Sequence, residues 1–141
     1  MAKQTSRYLP KATRTASVIF LTADGIAQKL LIAAGVEGTD IRAMVLTSSE
    51  TTQIHNVNVW LKKAGGSSIL IGTCRVLALS GLDGTVGATD GFSAANMPYL
   101  TLDAVSKRFM PLAPGDEIYV NPILAATAGK GVAVTVFAQD Y

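Results

Sequence analysis

His55 and Cys74 are the only histidine and the only cysteine of the chain, so nucleophilic chemistry would have to start from them. A Cys–His device needs the imidazole within hydrogen-bond reach of the sulfur. The two residues sit in neighbouring β-type runs and could meet across a hairpin. A structural histidine in a strand and a small apolar core cysteine are the favoured reading of the two. One histidine and one cysteine cannot complete a zinc set without carboxylates. Asp83 and Asp90 stand beside glycines, yet the alternating oxygens and closing glutamate of a calcium loop are missing. Leu124 to Gly131 has the outline of a phosphate loop, but Leu124 stands where its first glycine belongs, and Lys130 is not followed by Ser or Thr. The expectation is a protein with no catalytic residues, no cofactor and no metal.

The elements that would position any site are strands. Thr52 to Ala78 reads as a hairpin around Gly65-Gly66, whose glycines suit the positive φ of a tight turn. In its first arm His55, Val57, Val59 and Leu61 fall on one side, and Ile54, Asn56, Asn58, Trp60 and Lys62 on the other. The second arm is rich in β-branched residues, which suggests burial on both faces. Arg14–Thr22 and Ile26–Ala33 read as another hairpin around Asp24-Gly25. Helical spacing of Ile26, Leu30 and Ala33 offers a helix as the competing reading. Ile41–Ser48 is a central strand.

Ser80 to Gly91 holds four glycines in twelve residues and reads as a long loop. Phe92–Asn96 suggests one helical turn, and Met97–Leu102 an edge strand kept there by Pro98. Arg108–Met110, Glu117–Asn121 and Val132–Ala138 complete about eight strands, the spacing of an antiparallel β-sandwich or jelly roll.

At 141 residues the chain makes one domain with a sizeable core. Only 16% of residues are charged against 49% hydrophobic, which fits a surface partly covered by a partner or faces rich in Ser, Thr and Asn. A lone cysteine fits a reducing compartment, and no apolar run reaches the roughly 18 residues that span a bilayer. No secretory signal is expected.

Lys3, Arg7, Lys11 and Arg14 all precede the first acid, Asp24. The other eight bases face ten acids, so a +4 leader precedes a −2 body. Residues 1–13 lack periodicity and read either as a frayed terminus or as an extended basic arm that orders on a partner; residues 14–141 form the sandwich. The arm contributes Lys3, Arg7, Tyr8, Leu9 and Lys11 as candidate contacts, with Arg14 at its root. Trp60, Phe92 and Tyr99 are the candidate aromatic contacts of the body. Specific nucleic-acid binding is not expected, because Tyr8 is the only aromatic near the cations.

The order of features carries a resemblance. Thr22-Ala23-Asp24-Gly25 is followed by Gly38-Thr39-Asp40-Ile41, Thr47 to Thr52, Val57 to Leu61 and Ile69 to Thr73. Pro111-Leu112-Ala113-Pro114-Gly115-Asp116 then precedes Ala126 to Lys130 and the closing Val132 to Tyr141. Over residues 14–141 this resembles the jelly-roll capsid cement, or decoration, proteins of tailed double-stranded DNA bacteriophages. The resemblance implies a structural virion protein, assembled in the host cytoplasm, on the outer surface of the head. It would clamp neighbouring major capsid protein subunits as a homodimer, or as a trimer. A ligand- or receptor-binding sandwich of a phage tail, with its site in the loop at 80–95, is the alternative.

Overall fold

The computed structural model describes residues 11–82 and 84–141. The strands are β1 (Ala12–Leu21), β2 (Lys29–Ala33), β3 (Thr39–Ser48), β4 (His55–Lys62) and β5 (Ser68–Val76). They continue as β6 (Thr89–Asp90), β7 (Thr101–Leu102), β8 (Arg108–Leu112), β9 (Glu117–Pro122) and β10 (Gly131–Asp140). Eight of the ten have five residues or more; β6 and β7 have two each.

The pairing is nested and antiparallel. β4 pairs with β5, β3 with β8, β2 with β9 and β1 with β10. The chain is therefore one long hairpin whose tip is the turn at 63–67. Rolling it sends alternate rungs to two sheets, ordered β1-β10-β3-β8-β7 and β2-β9-β4-β5, with β6 also against β3. This is the strand order of a jelly roll, an all-β antiparallel sandwich.

The central hairpin forms as its sequence demands. Gly65 takes φ +71, and the Gly66 N–H donates to Lys63 O at 2.9 Å. His55, Val57 and Val59 are buried, and so are Val132, Val134, Val136 and Ala138 of β10. These alternating rows meet Phe20, Met44, Leu46, Ile118 and Val120 between the sheets. A period of two lets each strand place one row in that core and the other on the surface.

Three expectations are corrected. The Asp24-Gly25 turn does not join paired strands: β1 and β2 belong to different sheets. It is a corner, in which the Leu21 N–H donates to Asp24 Oδ2 at 2.7 Å and Lys29 Nζ pairs with Asp24 Oδ1 at 3.0 Å. Those two partners, the Leu21 N–H first, hold the Asp24 carboxyl below its usual range. β5 is not buried on both faces; it is an edge strand, with Ile69 and Leu70 exposed. The competing helix at Ile26–Ala34 is not formed, since Lys29–Ala33 is β2. The segment 92–96, by contrast, makes the single helical turn its sequence suggests, closed by the Met97 N–H on Ser93 O at 2.9 Å.

Candidate functional site

The described residues hold no cluster of three or more His, Cys, Asp or Glu side chains that could bind a metal. Cys74 lies on the core face of β5, fully buried, with Sγ 3.8 Å from Gly91 O. Burial, with the Asp90 charge second, pushes its thiol up to about 12. A thiol held protonated is a poor nucleophile, so Cys74 should resist alkylation at neutral pH until the sandwich unfolds. Intact-mass readings with and without denaturant check this.

His55 finds a partner other than Cys74. Its Nε2 lies 3.1 Å from Glu50 Oε1, and both side chains are buried. The same oxygen accepts the Thr127 N–H at 2.6 Å. Glu50 follows β3, its backbone carbonyl accepts the Leu79 N–H at 2.8 Å, and its own N–H reaches Ser48 Oγ at 3.2 Å. It thus ties three loops at one end of the sandwich. The arrangement leaves no open position for a substrate beside the imidazole and reads as structural.

The surface is more informative than the interior. On the outer face of the β2-β9-β4-β5 sheet, Leu30 stands opposite Tyr119, Tyr119 opposite Trp60, and Trp60 opposite Leu70. One row therefore crosses all four strands. Leu30, Tyr119 and Trp60 point outward because their chain neighbours Leu31, Ile118, Val120 and Val59 are in the core, and Leu70 shares their face as the partner of Trp60. Leu30 is 45% exposed and Leu70 47%, while Tyr119 and Trp60 between them are half-buried by their neighbours.

Hydrogen bonds fix the aromatic rings. Trp60 Nε1 donates to Asn121 Oδ1 at 2.7 Å, and Asn121 Nδ2 donates to Ile26 O at 2.9 Å. Tyr119 Oη donates to Glu117 Oε2 at 2.7 Å, and that bond raises the phenol's pKa. Beside the row lies a polar one, in which Asn58 stands opposite both Asn121 and Thr73. Thr73 Oγ1 donates to Asn58 Oδ1 at 2.9 Å. The face is a rigid apolar stripe next to amides, the make-up of a protein-docking surface with its polar rim.

The other candidates scatter. Lys3, Arg7, Tyr8 and Leu9 lie outside the described residues. Lys11 is exposed, and its N–H donates to Asp140 O at 2.8 Å. Arg14 is engaged internally: its Nε is 2.8 Å from Asp140 Oδ2, and an Nη donates to Ala33 O. Tyr99 is 93% exposed beside an apolar cleft lined by Leu61, Met97 and Met110. Phe92, expected at a contact, is a correction: it is 5% exposed and belongs to the core. The turn at 90–92, in which the Phe92 N–H donates to Asp90 Oδ1 at 2.9 Å, swings its ring between the sheets.

The sequence singled out Trp60 and missed Leu30, Leu70 and Tyr119. Only cross-strand register brings them together, and register is not written in any one strand. Comparison with protein-family models finds no match, and comparison with curated proteins finds none.

Proposed function

We propose that this chain is a structural virion protein that cements the outer surface of a tailed-phage head by bridging neighbouring major capsid protein subunits. The observation that carries the reading is the apolar row Leu30–Tyr119–Trp60–Leu70, set on a rigid four-stranded face. A stiff sandwich offers such a stripe without the ordering cost that a flexible loop would add. Many copies acting in parallel on a shell give avidity from individually modest contacts. The basic leader would add contacts of its own, and no chemistry is required of the protein.

The test is co-sedimentation of purified protein with matching heads stripped of it, followed by imaging. Saturable binding at a fixed copy number per shell is expected. Absence of binding by a folded protein would move the function to a tail component. That alternative loses its expected loop aromatic, because Phe92 is buried.

Leu70→Asp places a charge at the β5 end of the stripe, beside Trp60, on an exposed side chain. We expect head affinity to fall at least tenfold, or more than about 1.4 kcal/mol, with thermal stability nearly unchanged. Unaltered affinity would assign docking to another face.

A further inference from the structure

We propose that β1 is a homodimerisation strand, pairing antiparallel with β1 of a second copy about a two-fold axis through Thr15. The edges of the two sheets point to this pairing, whichever face meets a capsid.

A sheet edge left unpaired is a template for another strand, and natural proteins blunt their edges. Three of the four edges here are blunted. β7 has two residues. β2 has five and a register shift between Leu30 and Ile32. β5 is covered by the segment 91–97, where Asn96 Oδ1 accepts the Arg75 N–H at 3.3 Å. β1 is different. It runs ten residues in unbroken register with β10, without proline or bulge. Its only charge, Arg14, is spent on Asp140 and Ala33.

Two observations show which groups face off the edge. Lys29 Nζ donates to Ile19 O at 2.8 Å, and the Leu21 N–H goes to Asp24 Oδ2, so the odd residues of β1 point away from β10. On β10, Gly131 O accepts the Ser49 N–H on the β3 side at 3.0 Å. The even residues of β10 therefore face β1, and they stand opposite its even residues, from Val132↔Phe20 to Ala138↔Arg14. The backbone groups of Ile19 and Leu21 are thus capped by side chains. Those of Thr13, Thr15 and Ser17 point outward with no partner among the described residues.

The free stretch is self-complementary. An axis through Thr15 sets Thr15 against itself and Thr13 against Ser17, which allows six N–H···O bonds, two for each such pair. The outer side chains that meet are hydroxyls, as they already are across β1 and β10, where Ser17 Oγ lies 3.2 Å from Thr135 Oγ1. Threonine and serine pairs of this kind are favourable. On the inner side Arg14 meets Ala16 of the second copy, so the register sets no two like charges opposite one another. The joined sheet would present one continuous outer face of Thr13, Thr15, Ala133, Thr135, Phe137 and Val45, bordered by Arg42.

Thr15→Pro tests this on the full chain. The proline removes an N–H that β10 does not use, and an edge strand tolerates its φ. Thr15→Lys is the second variant. It sets two lysines against each other at the axis while pointing into solvent in the monomer. Sedimentation velocity should show a wild-type dimer and self-association weakened at least tenfold in both variants. Hydrogen exchange should show Thr13 and Ser17 amides protected in wild type and exposed in Thr15→Pro, with Ala16 and Val18 protected in both. A monomeric wild type, or variants that remain dimeric, would overturn the proposal. Head binding by a monomeric variant would separate this interface from the capsid-binding face.

Discussion

Replacing Glu50 by alanine should destabilise the sandwich by about 2–4 kcal/mol, because two hydrogen-bonded groups lose their acceptor at roughly 1–3 kcal/mol for each one left unsatisfied. The substitution leaves the buried His55 Nε2 without its partner and takes the acceptor from the part-buried Thr127 N–H. His55 Nδ1 is already buried without a hydrogen-bond partner among the described residues, so the imidazole has no second contact to fall back on. Glu50→Gln keeps an oxygen for both donors and should lose only the charge-assisted part, about 1 kcal/mol. Urea unfolding of the three proteins gives the comparison.

The same residue sets an acid limit. Burial alone pushes the Glu50 carboxyl up, but the Thr127 N–H and the His55 ring outweigh it and bring it below its ordinary 4.5. A carboxyl with a depressed folded pKa is protonated first in the unfolded chain. Its stabilisation is therefore complete above about pH 4.5 and drains away as the pH falls through the lower folded value. Glu50→Gln should lose less stability than wild type on acidification below that point. Equal acid slopes for the two proteins would remove Glu50 from the account.

Phe20→Ala is the second large effect. Phe20 is fully buried at the end of β1, among Val132, Leu31 and the rest of the inter-sheet core. Deleting a ring that has no room to be replaced costs about 3–5 kcal/mol in transfer and cavity terms. For a domain of this size that is a drop in Tm of roughly 10 °C or more. Lys29 Nζ, 5.1 Å from the ring centroid, also loses its cation–π contact. Calorimetry of the variant checks the figure, and a loss under 1 kcal/mol would mean that the sheets close over the gap.

How much was legible follows from which signals are local. The β4–β5 hairpin was readable because its turn residues and its alternation lie within one short stretch. The all-β class followed from the same alternation repeated. Asp24-Gly25 does not distinguish a corner from a hairpin, because a positive-φ glycine serves both; at this corner Gly25 takes φ +61. β5 looked buried because β-branched residues suit any strand, and only the missing neighbour makes it an edge. Phe92 has the setting of a loop aromatic, but Gly91 before it lies so close to Met44 that an added Cβ would stand 2.8 Å from Met44 Cγ. That close approach pulls the following residue inward. Glu50 drew no notice because its partners, His55 and Thr127, meet it only after the roll is complete. The docking row was unreadable for the same reason.

The nested pairing also decides how the molecule would respond to mechanical load. Ala12 stands opposite Asp140 at the outermost rung, and each rung inward closes a shorter span of chain, down to the turn at Lys63–Ser67. A pull that separated Ala12 from Asp140 would open β1 from β10 one hydrogen-bonded pair at a time, like a zip, at low force. A pull entering along β1 and leaving through the face of β4 and β5 would instead strain the whole ladder of β1 and β10 lengthwise, with all its bonds sharing the load. A fastener built on this topology holds only if tension reaches it along its strands and never between its two ends.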